Sequence, residues 1–185
     1  MTGPDTSPAV LTVGHSTRTA EELIGLLEAH GATLIADVRK MPRSKRNPRF
    51  NAETLSAELK KHGIGYLHLP SLGGLRRPRP DSPNTGWRNE SFRGYADYMQ
   101  TPEFQEGLEE IISLRGEERP CLMCAEAVPW RCHRRIIADA LLARGFAVGH
   151  VLGESRLQTH TLTPWARIEP DTTLLTYPPE EESLF

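Results

Sequence analysis

The reactive side chains of this chain concentrate in one stretch. From Cys124 to Arg134, two thiols, a carboxylate (Glu126), an imidazole (His133) and two guanidinium groups (Arg131 and Arg134) fall within eleven residues. An apolar run, Pro120 to Met123, precedes it, and Ile136, Ile137, Ala140 and Leu141 follow at helical spacing. Strand, reactive turn and helix in that order place the polar groups at the carboxyl end of a strand, where open α/β sheets bind ligands. A thiol at a helix start beside Arg131, Arg134 and Arg135 can lose its proton readily, which makes Cys124 and Cys132 candidates for nucleophilic or redox chemistry. The same helix start offers unpaired N–H groups to an anion. His133 can exchange a proton near neutral pH, and Glu126 can orient an imidazole or act as a base.

Other strand ends repeat the theme. His15, Ser16 and Arg18 follow one apolar run, Asp37 and Arg39 end a second, His68 to Gly74 a third, and His150 to Glu154 a fifth. Parallel strands would bring all of these to one edge. There Ser16, Arg18, Arg39 and Arg134 would hold an anion through hydrogen bonds and bidentate contacts. Gly73 and Gly74 would allow close backbone approach or a positive φ. His15, Glu126 and His133, with Asp37, would handle protons. Each has a plainer reading as well: His15 as a satisfied turn residue, Asp37 as the ion-pair partner of Arg39, the cysteines as packing groups.

Two specific chemistries fit poorly. Cys121 and Cys124 are three apart within a strand and so point to opposite faces, which argues against zinc held by Cys121, Cys124, Cys132 and His133. Cys121 reads as a core residue. No metal site is expected, and the cofactor is left open. Cys124 to Arg131 is one residue longer than a C-x5-R phosphate loop, contains Glu126 and lacks glycine.

The elements that must position these groups follow from periodicity. Strands are expected at 10–14, 34–38, 65–69, 120–125 and 147–152, several of them near-continuous apolar runs suited to burial on both faces. Helices alternate with them. Ala20, Leu23, Ile24 and Leu27 follow a Thr19/Glu22 capping box, Leu55 and Leu59 follow Asn51, and Phe92, Tyr95, Ala96 and Met99 form another stripe. Thr101-Pro102 opens a helix with Phe104, Leu108, Ile111 and Ile112. The pattern predicts an α/β fold, a mostly parallel five-stranded sheet with helices on both faces in a Rossmann-like three-layer arrangement. Residues 10–155 form that domain, 1–9 are a disordered amino-terminal segment, and 156–185 are a carboxyl-terminal extension with an acidic tail. The long loop Pro70–Asn89 could close over a pocket. His30, His62 and His160 read as surface residues, whereas His68 and His150 could face either way.

Bulk properties bound the function. A chain of 185 residues with 38% hydrophobic and 25% charged content suits one globular domain. No apolar run approaches the ~20 residues of a membrane span, so no membrane partner is expected. The amino terminus lacks signal-peptide character, and three cysteines do not suggest a disulfide framework. A cytoplasmic location follows as the expectation.

Several separated motifs resemble one family. They are Thr12-Val13-Gly14-His15-Ser16; Asp37-Val38-Arg39 with Pro42, Ser44 and Pro48; Leu72-Gly73-Gly74; Met123-Cys124-Ala125-Glu126 with Pro129; Cys132-His133-Arg134; and Ala143-Arg144-Gly145. In this order, over about residues 10 to 155, the chain resembles the uncharacterised family called domain of unknown function 488. The resemblance implies an α/β fold and a shared polar cluster, and it supplies no activity or ligand.

The functional expectation is an enzyme acting on a small phosphorylated or nucleotide-like substrate by hydrolysis or group transfer. The competing class is a nucleic-acid or partner-binding module. For that class speak the acid-free run Arg39, Lys40, Arg43, Lys45, Arg46 and Arg49, and Trp87, Phe92 and Trp130 as stacking groups. A pI near 6.4 and the lack of any helix-turn-helix or zinc-finger signature speak against it. Oligomeric state is left open.

Overall fold

The computed structural model describes residues 7–180. Strands β1 (Val10–Gly14), β2 (Leu34–Asp37), β3 (Gly65–His68), β4 (Pro120–Cys124) and β5 (Val148–Gly153) are parallel. The sheet is larger than the expected five strands, because β6 (Arg156–Thr159) turns back antiparallel along β5. The order is β3-β2-β4-β1-β5-β6. The helices are α1 (Ala20–Ala29), α2 (Ala52–Lys61), α3 (Glu90–Tyr98), α4 (Pro102–Leu114) and α5 (Arg134–Ala143). No helix among the described residues is long and apolar enough to cross a membrane.

Strand periodicity assigns the layers. Leu11, Val13, Ile35, Cys121 and Met123 point into the core under α1 and α2. Val10, Ala36, Val38 and Leu122 point into the other core, under α3, α4 and α5. Successive side chains alternate across a strand, so Cys121 is sealed in the first core, fully buried, while Cys124 packs on the second. The neighbours β1 and β4 send their following helices to opposite faces of the sheet. That divergence opens a crevice at their carboxyl ends, the place where α/β sheets bind ligands.

Local signals explain most boundaries. Thr19 accepts from the Glu22 amide at 3.1 Å, and the Glu22 carboxylate accepts from the Thr19 amide at 2.7 Å. Asn51 stands at the start of α2 but does not cap it; its side-chain oxygen accepts from the Ser44 amide at 2.7 Å and folds the basic loop over. Asn89 caps α3 through the amides of Ser91 and Phe92.

The carboxyl-terminal segment, aperiodic in sequence, folds back onto α5. Leu175 and Tyr177 are buried in the core under α3–α5. Leu175 belongs to β8 (Leu175–Thr176), which pairs with β7 (Arg167–Ile168) in a separate two-stranded sheet. Residues 1–6 of the expected disordered segment and 181–185 of the acidic tail lie outside the described residues. The Pro70–Asn89 loop is pinned rather than open. The Asp97 carboxylate accepts from the Arg79 amide, the Ser82 hydroxyl and the Asn84 side-chain amide at 2.6–2.8 Å, and Trp87 is buried.

Candidate functional site

Two sulfurs and one imidazole meet where the crevice opens. The ligating atoms of Cys124, Cys132 and His133 all lie within 4.8 Å of one another. Cys124 ends β4, and Cys132 and His133 lead into α5. The His133 Nε2–H donates to the Val38 carbonyl at 3.0 Å, leaving Nδ1 facing Cys132 Sγ, 3.7 Å away. Gly74 makes this approach feasible, since a Cβ there would sit 2.9 Å from Nδ1. Gly73 likewise lets the loop pass against Lys40, and neither glycine has the positive φ anticipated for the pair. Leu75 carries it instead, at φ 60°, and is 81% exposed at the rim. A cleft of about 430 Å³ lies over the cluster, lined by Gly74, Leu75, Asn89, Ser91, Phe92, Tyr95, Ala125, Glu126 and Arg131 as well as the three clustered residues.

The two thiols are unlike. Cys132 is held well below the usual thiol range, chiefly by a hydrogen bond from the Cys124 thiol and further by His133 and the Arg134 cation. Cys124, donating to Cys132 and itself buried, is pushed up. Burial pushes Cys121, in the other layer, up to about 12.

Arg134 is not a free anion clamp. It is 1% exposed; its Nε donates to Cys132 Sγ at 3.3 Å and its guanidinium also donates to the Glu126 carbonyl and to Thr12 Oγ1. From Thr12 a buried chain of hydrogen bonds runs on through the fold. Thr12 Oγ1 meets His150 Nδ1 at 2.7 Å, His150 Nε2 meets His160 Nδ1 at 3.0 Å, and His160 Nε2 meets Asp139 Oδ1 at 2.8 Å. The carboxylate can only accept, so His160 Nε2–H donates to Asp139. Tyr177 donates to the second Asp139 oxygen at 2.8 Å. His160 is thus a buried residue of this chain and not the surface residue its sequence context suggested. Its neighbours carried no periodic signal that would have revealed this.

A second cluster adjoins the first. Asp37, fully buried, accepts from Arg39 Nε at 2.9 Å and Arg39 Nη2 at 2.6 Å, and from the Tyr66 hydroxyl at 2.6 Å. Arg39 also donates to the Phe50 carbonyl and to His15 Nε2. His15 stacks on Phe50 with centroids 4.2 Å apart, and its Nδ1–H reaches the Ser16 carbonyl. Arg39, expected to hold an anion, is therefore committed to Asp37. Ser16 (φ 45°) and Arg18 line a different, shallow pocket, and Arg18 donates to the Gly14 carbonyl at 2.7 Å. Glu126 reaches the cleft rim with an exposed side chain. Tyr95 and Arg131, which the sequence reading did not assign to the site, complete it. Tyr95 was legible only as part of a helical stripe, whereas Arg131 stood inside the reactive stretch.

Two buried histidines give this arrangement a pH signature. Burial lowers His15 to about 4, with Arg39 and Arg134 adding to the effect against the Ser16 carbonyl and Asp37. Burial and the His160 neighbour lower His150 to about 3. Both stay neutral in the fold while the unfolded chain protonates them below about 6.5. Their contribution is complete above that pH and is lost as pH falls toward 4. Around pH 5 unfolding should take up about two protons, a slope of ~2.7 kcal/mol per pH unit. Urea unfolding between pH 7 and 4.5 measures the slope, and His15→Gln or His150→Gln should each remove about one proton from it.

Comparison with protein families places these residues. The model of the family described as Domain of unknown function DUF488 matches residues 19–141. The chain belongs to this family. No curated protein and no solved structure matches it. The DUF488 match takes in Asp37, Arg39, the glycine pair and the whole of Cys124 to Arg134, and it begins after the His15 turn of β1.

Proposed function

We propose that this DUF488 protein is an enzyme that hydrolyses, or transfers a group from, a small phosphorylated or nucleotide-like substrate in the cleft above Cys124, Cys132 and His133. The supporting observation is the meeting of two sulfurs and an oriented imidazole nitrogen within 4.8 Å at the floor of that cleft, with a buried guanidinium against one sulfur. Polar groups convergent in a concave site are the ordinary architecture of a reaction centre. A water in the cleft attacks the phosphoryl group, Glu126 at the rim takes up its proton, and the bond to the leaving oxygen breaks, that oxygen taking a proton from solvent. Arg131 is exposed and forms no ion pair among the described residues, which suits it to hold a phosphoryl group. Phe92 offers an apolar wall to a planar ring.

A specific observation supports a second reading. Lys40, Arg43, Lys45 and Arg46 are exposed on the loop after β2 without an ion pair among the described residues, and Met41 is 77% exposed among them. Such a loop suits a nucleic-acid backbone.

Phosphate release from a panel of nucleotides and phosphorylated small molecules separates the two. The enzyme reading expects Glu126→Gln to lower kcat by about 10²-fold or more and Arg131→Ala to act mainly on KM. Absence of turnover, together with oligonucleotide affinity that falls steeply with salt and with Arg43 and Arg46 removed, would replace it with the binding module.

A further inference from the structure

We infer that Cys124, Cys132 and His133 form a three-ligand site for a borderline-soft divalent cation of the zinc class, whose fourth coordination position opens into the cleft. The inference rests on reading that cleft as the reactive site, and names the cation that would work there.

The geometry supports it in four ways. Tetrahedral zinc with sulfur at about 2.3 Å and nitrogen at about 2.0–2.1 Å sets ligand sulfur and nitrogen about 3.6 Å apart; Cys132 Sγ and His133 Nδ1 are 3.7 Å apart. His133 is oriented as a ligating histidine is, with Nε2–H on a backbone carbonyl and Nδ1 free toward the sulfurs. Gly74 puts no side chain of its own beside Nδ1. Among the described residues no fourth histidine, cysteine or carboxylate joins the group, and all three residues line the cleft. Three protein ligands with one open position are the pattern of a catalytic rather than a structural zinc site.

Charge points the same way. As a ligand Cys124 would give up the proton it donates to Cys132, which puts two thiolates on the floor of the cleft. A divalent cation cancels them, and buried Arg134, donating to Cys132 Sγ, then leaves the floor with a net positive charge. The earlier objection to zinc concerned Cys121, which faces the other core, and a three-ligand site does not need it. Thiolate and imidazole donors select zinc-like cations over magnesium or calcium.

The test uses the full-length reduced protein, purified without chelator, and reads metal content, X-ray absorption and the ligand-field spectrum after cobalt(II) substitution. The expected result is about one zinc or cobalt per chain, tetrahedral, with two sulfurs and one nitrogen. Cys132→Ser and His133→Ala should each weaken affinity at least about 100-fold, while Cys121→Ala should retain metal. The wild-type absorption spectrum decides the matter even if a variant fails to fold. Reduced protein that takes up no stoichiometric zinc or cobalt overturns the inference, as does a first shell of oxygen. Turnover by protein that takes up no metal overturns it and leaves the enzyme reading standing. Metal bound with this ligation but without turnover upholds it and removes the enzyme reading.

Discussion

Gly14→Ala is expected to cost at least about 3 kcal/mol of stability, a fall in Tm of roughly 6–12 °C for a chain of this size. A Cβ at Gly14 would lie 1.8 Å from the Glu126 carbonyl oxygen and 2.9 Å from the Ala127 Cα. Those are backbone atoms, so no rotamer change relieves the clash. The turn after β4 is also tied down, with the His15 amide donating to the Cys124 carbonyl at 3.0 Å and the Ser16 amide to the Ala125 carbonyl at 2.9 Å. The turn must lift, taking with it the strand end that carries Cys124 and the carbonyl that holds Arg134. Stability loss and loss of the Cys124–Cys132–His133 geometry should therefore arrive together. Gly25→Ala is the control: its nearest neighbour is a Glu154 carboxylate oxygen at 3.8 Å, and inside α1 it should stabilise by about 0.5–1 kcal/mol. Urea denaturation of both variants measures the difference. A Gly14→Ala loss below about 0.5 kcal/mol would mean that the turn does not cross β1 as described.

The same residues show how far the sequence carries. The β1 boundaries, Val10 to Gly14, are legible because a mostly apolar run, broken only by Thr12, ends at a glycine. The reading of Cys121 and Cys124 as facing opposite ways follows from strand period alone, and the two layers separate them. Cys124, Cys132 and His133 could be singled out by type and placed at a strand end. Their meeting within 4.8 Å could not, because it depends on how the turn from 125 to 131 folds back over Gly14. Arg39 shows a different limit. Its spacing from Asp37 allowed an ion pair or a free guanidinium, and only the burial of Asp37 with Tyr66 beside it decides for the pair. His160 and Asp139 lay furthest from view. One stands in an aperiodic segment and the other on an apolar helix, and their partnership exists only because the chain after β6 folds back on α5.

That partnership predicts a large effect at a distance from the cleft. Asp139→Ala is expected to lower stability by about 3–5 kcal/mol. Asp139 is fully buried and accepts from three donors: His160 Nε2 at 2.8 Å, the Thr163 amide at 3.0 Å and the Tyr177 hydroxyl at 2.8 Å. Alanine leaves all three buried donors without this acceptor, each costing about 1–3 kcal/mol before any relaxation. Reversing the imidazole tautomers does not rescue the chain, because His160 Nε2 then presents an unpaired lone pair where its proton had none. Asp139→Asn should cost only about 1–2 kcal/mol. Its single oxygen can still accept from His160 and Thr163, both of which use the same aspartate oxygen, and its amide can donate to Tyr177 once that hydroxyl turns. The lost contacts all tether residues 160–177 to α5, so hydrogen exchange should show that segment opening first in the alanine variant. The gap between the two substitutions is the decisive quantity. An alanine variant as stable as the asparagine one would mean that the carboxylate does not anchor the hydrogen-bond chain leading through His160, His150 and Thr12 to Arg134 and Cys132.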